Sequence, residues 1–288
     1  MMNSFKYLLH LFLFTTAIAA CSQKASKYTS PAGYKLDKPE KYIMPASLLE
    51  ISGITFKDGN SNILYAAQDE EGKVFYLKPG DAKAQHTKFG KNGDYEDITI
   101  CRDKVIVLKS DGSLYVFPFS EIGSPEAVNV KEYKNMLPHG EYEGLFYDNL
   151  TNQLYVLCKI CRDADASSTA TGYILSVTAH GTIEQQGSFS ISVKEIAAMA
   201  KEKKMMFQPS AFAQHPMSHN WYILSSVNKL LVITDSDWKV KEVHHLNPSI
   251  YGQPEGIAFD KNANLYISNE GSKTGNGNVL KMQYTVSR

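Results

Sequence analysis

The sequence has no excess of charge of either sign, because 30 lysines and arginines balance 30 aspartates and glutamates among 288 residues. A chain without a basic excess lacks the electrostatic footprint that binding to a phosphate backbone requires. We therefore expect no nucleic-acid partner. Long disorder is also excluded, since 43% of the residues are hydrophobic and 11% are aromatic, which is enough for a sizeable core.

Cysteine is scarce, and no common catalytic motif is present. The chain has four cysteines, and the pair Cys158 and Cys161 forms a C-x-x-C motif. Two thiols are too few for a structural zinc site, so we expect either a local disulfide or two buried free thiols. The nucleophile-elbow, H-E-x-x-H, phosphate-cradling and dinucleotide patterns are all missing.

The first twenty residues are typical of an export signal. Lys6 precedes an apolar run over residues 7–20, which ends in the lipobox-like tetrad Ile18-Ala19-Ala20-Cys21. We predict that residues 1–20 are a lipoprotein signal peptide and that Cys21 becomes the acylated N-terminus, with palmitate as one acyl chain. The alternative is a secreted protein cleaved nearby, with Cys21 as a free thiol.

The polar segment that follows the signal predicts a flexible tether over residues 21–33. Ser22 directly after the lipidated position favours the outer membrane, and we expect the protein to face the periplasm. The lipid would then be the only contact with the membrane. Residues 34–288 are predicted to form a single domain.

Five similar segments of strand, turn and strand follow one another along the chain. Their equivalent positions are separated by 44, 47, 67 and 45 residues, and they are Ser52, Glu96, Glu143, Ser210 and Glu255. All-strand repeats of about this length are typical of a β-propeller. The sequence therefore predicts an all-β, five-bladed β-propeller.

Two irregularities of the repeat need an explanation. The last unit has only three strands, so we expect a strand from residues 34–45 to complete it and close the ring. The long interval contains a predicted helix, whose capping box is formed by Ser192 and Glu195. A six-bladed propeller is the alternative, if residues 174–207 hide a degenerate unit.

Equivalent positions of the inner strands form rings around a propeller axis. Residues i and i+2 of a strand face the same way, so two stacked polar rings should lie at one channel mouth. The second ring consists of Glu50, Asp94, Glu141, Gln208 and Gln253. The second strands end at the same mouth with Asp69, Lys109, Lys159 and Glu270. We therefore expect an acidic site whose negative charge is partly neutralised by two lysines. The glycines that follow the first ring should fit where the strands crowd the axis.

The acidic mouth allows three interpretations. Crowded carboxylates raise one another's pKa, and Ca²⁺ held by Glu96, Glu143, Glu255, Asp69 and Glu270 would relieve the repulsion. Alternatively, the acids accept backbone N–H groups and pair with Lys109 and Lys159. In the third interpretation they act as acid or base catalysts, with His139 and Glu143 as the candidates.

The phrases LEISGITF, YEDITI, YEGLFYD and QPEGIAFD resemble those of the SdiA-regulated family of bacterial propeller proteins, over about residues 40–286. The resemblance implies a propeller similar to the NHL, phytase-like and esterase-like propellers, without a specific activity. Members often carry an acid at the end of the second strand. In this chain the acid is present in blades one and five, as Asp69 and Glu270. In blades two, three and four its place is taken by Lys109, Lys159 and Ser226.

We therefore expect a membrane-anchored, monomeric propeller that binds a small molecule or a protein at its acidic mouth, with calcium as a candidate cofactor. The alternative function is a metal-dependent hydrolase of a phosphoester, lactone or ester, with His139 or a carboxylate moving protons. A structural scaffold that uses the blade faces is a third class.

Overall fold

The computed structural model describes residues 27–162, 165–178, 182–273 and 275–286, which form five four-stranded antiparallel sheets. The inner strands of these sheets contact one another in chain order, and the fifth contacts the first. The protein is therefore a five-bladed β-propeller, as the repeat predicted. Cys21 and the signal peptide lie outside the described residues.

The first three blades each consist of consecutive strands, which run in chain order from the axis outwards. Blade one contains Ile51–Thr55, Leu64–Gln68, Lys73–Leu77 and Gln85–Lys88. Blade two contains Tyr95–Cys101, Lys104–Lys109, Leu114–Pro118 and Lys131–Tyr133. Blade three contains Gly140–Asp148, Gln153–Cys161, Thr169–Val177 and Ile183–Ser192.

Blade four also consists of consecutive strands, whereas blade five takes its outermost strand from the N-terminal part of the chain. Blade four contains Ala211–Gln214, Trp221–Ser225, Leu230–Thr234 and Val240–His245. Blade five contains Pro254–Phe259, Leu265–Asn269, Asn278–Met282 and, outermost, Glu40–Ile43. The strand Glu40–Ile43 pairs antiparallel with Asn278–Met282. The N-terminal strand therefore closes the ring, as predicted.

The long repeat interval does not contain a sixth blade, so that alternative is wrong. Residues 174–207 hold the end of the third strand of blade three, its fourth strand and the helix Val193–Ala200. The Ser192 side chain accepts a hydrogen bond from the Glu195 N–H, which confirms the helix cap. Short 3-10 segments lie at Ala46–Leu48, Lys57–Gly59 and Phe119–Glu121. In the described part of the chain no helix is long and apolar enough to cross a membrane.

The hydrophobic core is divided into five clusters, each between two neighbouring blades. Alternating side chains of each strand point to opposite faces of a blade, so every blade contributes to two clusters. In the cluster between blades three and four, Phe212 and Trp238 each stack on Trp221. This radial packing holds the inner strands close to the axis and fixes the ends that form the site.

Candidate functional site

A cavity of about 550 Å³ opens at the mouth where the inner strands begin. Blades one, two, three and five line it. Nine carboxylate side chains are among the described lining residues: Glu50, Asp69, Asp94, Glu96, Asp111, Glu141, Glu143, Glu255 and Glu270. Lys159 is the single lysine in the same lining. The structure thus brings together most of the residues that the repeat alignment predicted.

The two predicted rings lie at different depths. Asp94, Glu141 and Gln253 are exposed at the rim, whereas Glu96 and Glu143 are buried at 9% and 6% exposure. Glu255 is partly buried beside them. Carboxyl groups therefore extend from the solvent-exposed rim into the channel.

A β-bulge turns each deep acid towards the axis. In blade two, Tyr95 pairs with Lys109 and Asp97 with Leu108, which leaves Glu96 as the extra residue. The same shift leaves Glu143 unpaired in blade three and Glu255 unpaired in blade five. Bulges redirect side chains and are common beside functional sites. The sequence alignment placed these acids correctly but gave no sign of the bulges.

Lys159 reaches the cavity through a second bulge, on the neighbouring strand of blade three. Glu141 pairs with Ile160 and Tyr142 with Cys158, so Lys159 is the extra residue. A disulfide between Cys158 and Cys161 spans it, which selects one of the two states that the sequence left open. The Lys159 Nζ lies 2.6 Å from Glu143 Oε1.

Burial governs the electrostatics of the deep ring. Desolvation, followed by repulsion from Glu143, raises the pKa of Glu96 to about 9. The same two causes raise the pKa of Glu255 to about 7. Burial also raises the pKa of Glu143, although the Lys159 ammonium opposes the shift. At neutral pH the deep ring therefore holds protons that an incoming cation could replace.

A second group of acids lies between blades one and five. Burial raises the pKa of Glu270 to about 8, and a hydrogen bond and charge repulsion from Glu50 add to the shift. Burial and the charge of Glu50 raise the pKa of Asp69 to about 6. The Asp69 Oδ1 is buried without a hydrogen-bond partner. Gln253 Nε2 donates to Glu270 Oε2.

Lys109 and His139 are not brought into the acidic cavity. Both line a neighbouring cavity of about 690 Å³, where Lys109 pairs with Asp111 at 3.1 Å. Ser110 and Asp111 take the place at the mouth that the sequence had assigned to Lys109. Ser110 and Asp111 belong to the turn that follows the strand, and this turn reaches the mouth while the Lys109 side chain lines the neighbouring cavity.

Blade four contributes little to the cavity. The Ser210 hydroxyl donates to the Pro254 carbonyl at 2.8 Å, and the backbone of Gln208 is bound by Ser225 and Asn228. Its contact with the site is a hydrogen bond from Ser226 to Glu255, which the sequence did not predict. The Ser52 hydroxyl likewise donates to a backbone carbonyl, that of Glu96, at 2.6 Å.

Asp97 supports the ring without entering it. Its carboxylate accepts the N–H of Ile98 at 2.8 Å and that of Leu145 at 2.7 Å, which connects blades two and three. Asp97 also stands against Gly53, where an added Cβ would lie 2.1 Å from Asp97 Oδ1. A Cβ at Gly144 would lie 2.7 Å from the Phe212 ring. The predicted crowding at these positions is therefore confirmed.

The carboxylates do not form a ready-made metal centre. Among the residues that the structure describes, no three carboxylate, imidazole or thiol groups are gathered so that they could hold a metal ion. Oxygen donors of this kind still suit calcium chemically. Calcium binding by Glu96, Glu143, Glu255, Asp69 and Glu270 stays a prediction.

A comparison with protein families matches residues 26–273 to the SdiA-regulated family model. The chain belongs to the SdiA-regulated family. The match confirms the resemblance drawn from the inner-strand phrases, and it covers the blades except for the strand Asn278–Met282 of blade five. A comparison with curated protein sequences found no significant match.

Solved structures of other proteins show the same fold. Glutaminyl cyclase from Myxococcus xanthus aligns with a TM-score of 0.56 and 14% identity, covering 86% of this chain and 96% of that one. A luciferin-regenerating enzyme aligns with a TM-score of 0.53 and 11% identity, covering 85% and 95%. Regucalcin from Agrobacterium tumefaciens, a calcium-binding protein, aligns with a TM-score of 0.50 and 13% identity, covering 88% and 95%. At these identities the likeness concerns the fold alone.

Proposed function

We propose that the protein is a membrane-anchored binding protein whose acidic cavity takes a positively charged ligand. The observation that carries this proposal is the ratio of nine carboxylates to one lysine around a cavity of about 550 Å³. Buried carboxylates are destabilising unless they are paired or protonated. A cationic ligand would supply the missing partners.

Glu96 provides the most direct support. Its side chain lines the cavity, is buried, and has no hydrogen bond or ion pair to another described residue. The fields of Glu143 and Asp94 further disfavour its ionised form. A ligand cation would allow Glu96 to ionise, so binding should release a proton.

Calcium and an organic ammonium ion are the two candidate occupants. Calcium accepts irregular shells of six to eight oxygens, which several blades could share. An organic cation would fill more of the cavity and donate hydrogen bonds. The calcium-binding property of regucalcin belongs to that protein, so the choice rests on experiment.

Calorimetry at pH 8 with CaCl₂, MgCl₂ and 1,4-diaminobutane tests the proposal. Titrations in two buffers of different ionisation enthalpy would count the released protons. We expect binding with proton release in the wild type and weaker binding with less release in Glu96→Gln. If no cation produces heat or raises the melting temperature, the proposal is wrong.

The anchor is the second part of the proposal. Lipidation of Cys21 would hold the propeller at the periplasmic side of the outer membrane, as a monomer tethered by its N-terminus. Labelling with a palmitate analogue and membrane fractionation of wild type and Cys21→Ala test it. Equal labelling and equal fractionation of both would contradict the anchor. The hydrolase alternative is left with Glu143 as its candidate in the acidic cavity, because His139 lies in the neighbouring cavity.

A further inference from the structure

The cavity already holds one ammonium group, which comes from the chain itself. Lys159 Nζ contacts Glu143 Oε1 at 2.6 Å and is attracted by the charges of Glu255 and Glu96. Burial alone would lower the pKa of Lys159, but the charge and hydrogen bond of Glu143 outweigh it and the pKa is raised. The ring therefore stabilises a primary ammonium ion in a half-buried position.

A β-bulge and a disulfide hold the backbone around Lys159. Lys159 is the bulged residue of its strand, and the disulfide between Cys158 and Cys161 closes the short segment that carries it. A bulge turns the side chain out of the ladder, and a disulfide limits the movement of the loop that it closes. Lys159 is thus held at the ring, although its side chain keeps 27% exposure.

Two other acids of the cavity, Glu96 and Asp69, have carboxylate oxygens without a hydrogen-bond donor among the described residues. Glu96 is 9% exposed and faces the same cavity, and its carboxylate has no hydrogen bond or ion pair within the described chain. Asp69 Oδ1, also in the lining, is buried without a partner. One position of the cavity is therefore filled by an ammonium group, while further acceptors are left without donors.

We propose that the cavity is a binding site for primary alkylammonium groups, and that Lys159 occupies one of its subsites and competes with the ligand. The ligand class is then an alkyl diamine or the lysine side chain of a peptide. This inference rests on the proposed function and names its ligand.

The contact geometry favours an ammonium over other cations. The Lys159 contact uses one carboxylate oxygen and leaves two N–H donors of the ammonium for other acceptors. A guanidinium prefers a planar, bidentate pairing with one carboxylate. A compact ammonium with three donors can instead bridge acids from separate blades, and the acids of this cavity come from blades one, two, three and five.

Chemical rescue tests the inference. Lys159→Ala removes three methylene groups and the ammonium, which together correspond to n-propylammonium. We expect calorimetry at pH 8 to give Lys159→Ala an affinity for n-propylammonium at least about tenfold higher than that of the wild type. Lys159→Met is the matched control, because its side chain fills the same space without a charge, and it should show no such gain.

Two further probes separate charge from hydrogen bonding. Tetramethylammonium carries the charge without N–H donors and should gain nothing in Lys159→Ala. Lys109→Ala, in the neighbouring cavity, should behave like the wild type. Equal affinity of wild type and Lys159→Ala for n-propylammonium would overturn the inference, as would an equal gain for tetramethylammonium or a gain for CaCl₂ alone.

A measurement on the wild type covers the case in which Lys159→Ala does not fold. Saturation with 1,5-diaminopentane should shift the NMR resonance of the Lys159 ε-carbon, because the ligand displaces the ammonium from Glu143. Diamine binding without this shift would overturn the inference and leave the proposed function intact. Failure of every probe to bind the wild type and both Lys159 variants would remove the inference and the proposed function together.

Discussion

Blades three and four share one repeat but differ at the channel mouth. Blade three has a bulge at Glu143 and a second bulge at Lys159, and both side chains enter the cavity. The inner strand of blade four pairs with its neighbour without a register shift, and the Ser210 hydroxyl donates to a backbone carbonyl. A single extra residue in a strand thus separates a blade that builds the site from one that only supports it.

The largest expected effect is on ligand binding. Replacing Glu96 and Glu143 together by Gln removes the two buried acids, and we expect cation affinity to fall by about 100-fold. In blade four, Gln208→Ala should leave the affinity unchanged, because Gln208 does not line the cavity. Calorimetry on both variants checks this. An equal loss of cation affinity in both variants would show that blade four contributes to the site as much as blades two and three, and would contradict the prediction.

The next effect concerns stability at the crowded axis. Gly53→Ala places a Cβ 2.1 Å from Asp97 Oδ1 and 2.4 Å from the Asp97 Cα, so we expect about 1–3 kcal/mol of destabilisation. Blade four already carries a Cβ at the equivalent Ala211. Ala211→Gly should therefore cost only about 1 kcal/mol, through backbone entropy. Urea unfolding of both variants measures the difference, and a tolerated Gly53→Ala would contradict the packing.

The pH dependence of stability should have an unusual sign. Glu96, Glu270 and Glu255 have folded-state pKa values of about 9, 8 and 7, raised by burial from the ordinary value of 4.5. Between the two values the folded state binds more protons than the unfolded state, so stability falls as the pH rises from about 5 to 9. Melting temperatures without added cations test this.

Two controls sharpen the pH prediction. Glu96→Gln should flatten the decline, since it removes the acid with the highest of these three values. In blade four, burial lowers the pKa of His215 below 6.5, so its contribution to stability is lost on acidification instead. A melting temperature that rises between pH 6 and 9 would refute the assignment of raised pKa values to the ring.

The smallest effect tests the contact of blade four with the site. The Ser226 hydrogen bond lowers the pKa of Glu255 against the effects of burial and repulsion. Ser226→Ala should raise that pKa further and weaken cation binding about two- to threefold at neutral pH. An NMR titration of the Glu255 carboxyl carbon measures the shift. A lower pKa in the variant would contradict the hydrogen bond.

Much of the fold could be predicted because the repeat carries it. The apolar alternation of each unit and the five equivalent positions Ser52, Glu96, Glu143, Ser210 and Glu255 indicated the number of blades and the inner ring. The missing strand of the last unit pointed to the N-terminal segment. Strong local periodicity and ring geometry constrain these features in every blade.

The details of the site could not be predicted from the same pattern. A bulge leaves no periodic signal, so the alignment placed Lys159 at the mouth without showing how its side chain enters the cavity. The same alignment placed Lys109 there, although Lys109 lines the neighbouring cavity. Ser110 lines the cavity and Ser226 is hydrogen-bonded to Glu255. Both contacts depend on how the chain turns at the end of the second strand of each blade. The unpaired state of Glu96 depends on neighbours from other blades, which a single strand's sequence does not reveal.

The closing strand determines when the molecule can finish folding. Glu40–Ile43 pairs with Asn278–Met282, more than 230 residues later in the chain. Until the later strand has been synthesised, blade five lacks its outer pair and the ring stays open, with strand edges available to other chains. The acidic site, which four blades build around that ring, would therefore assemble last.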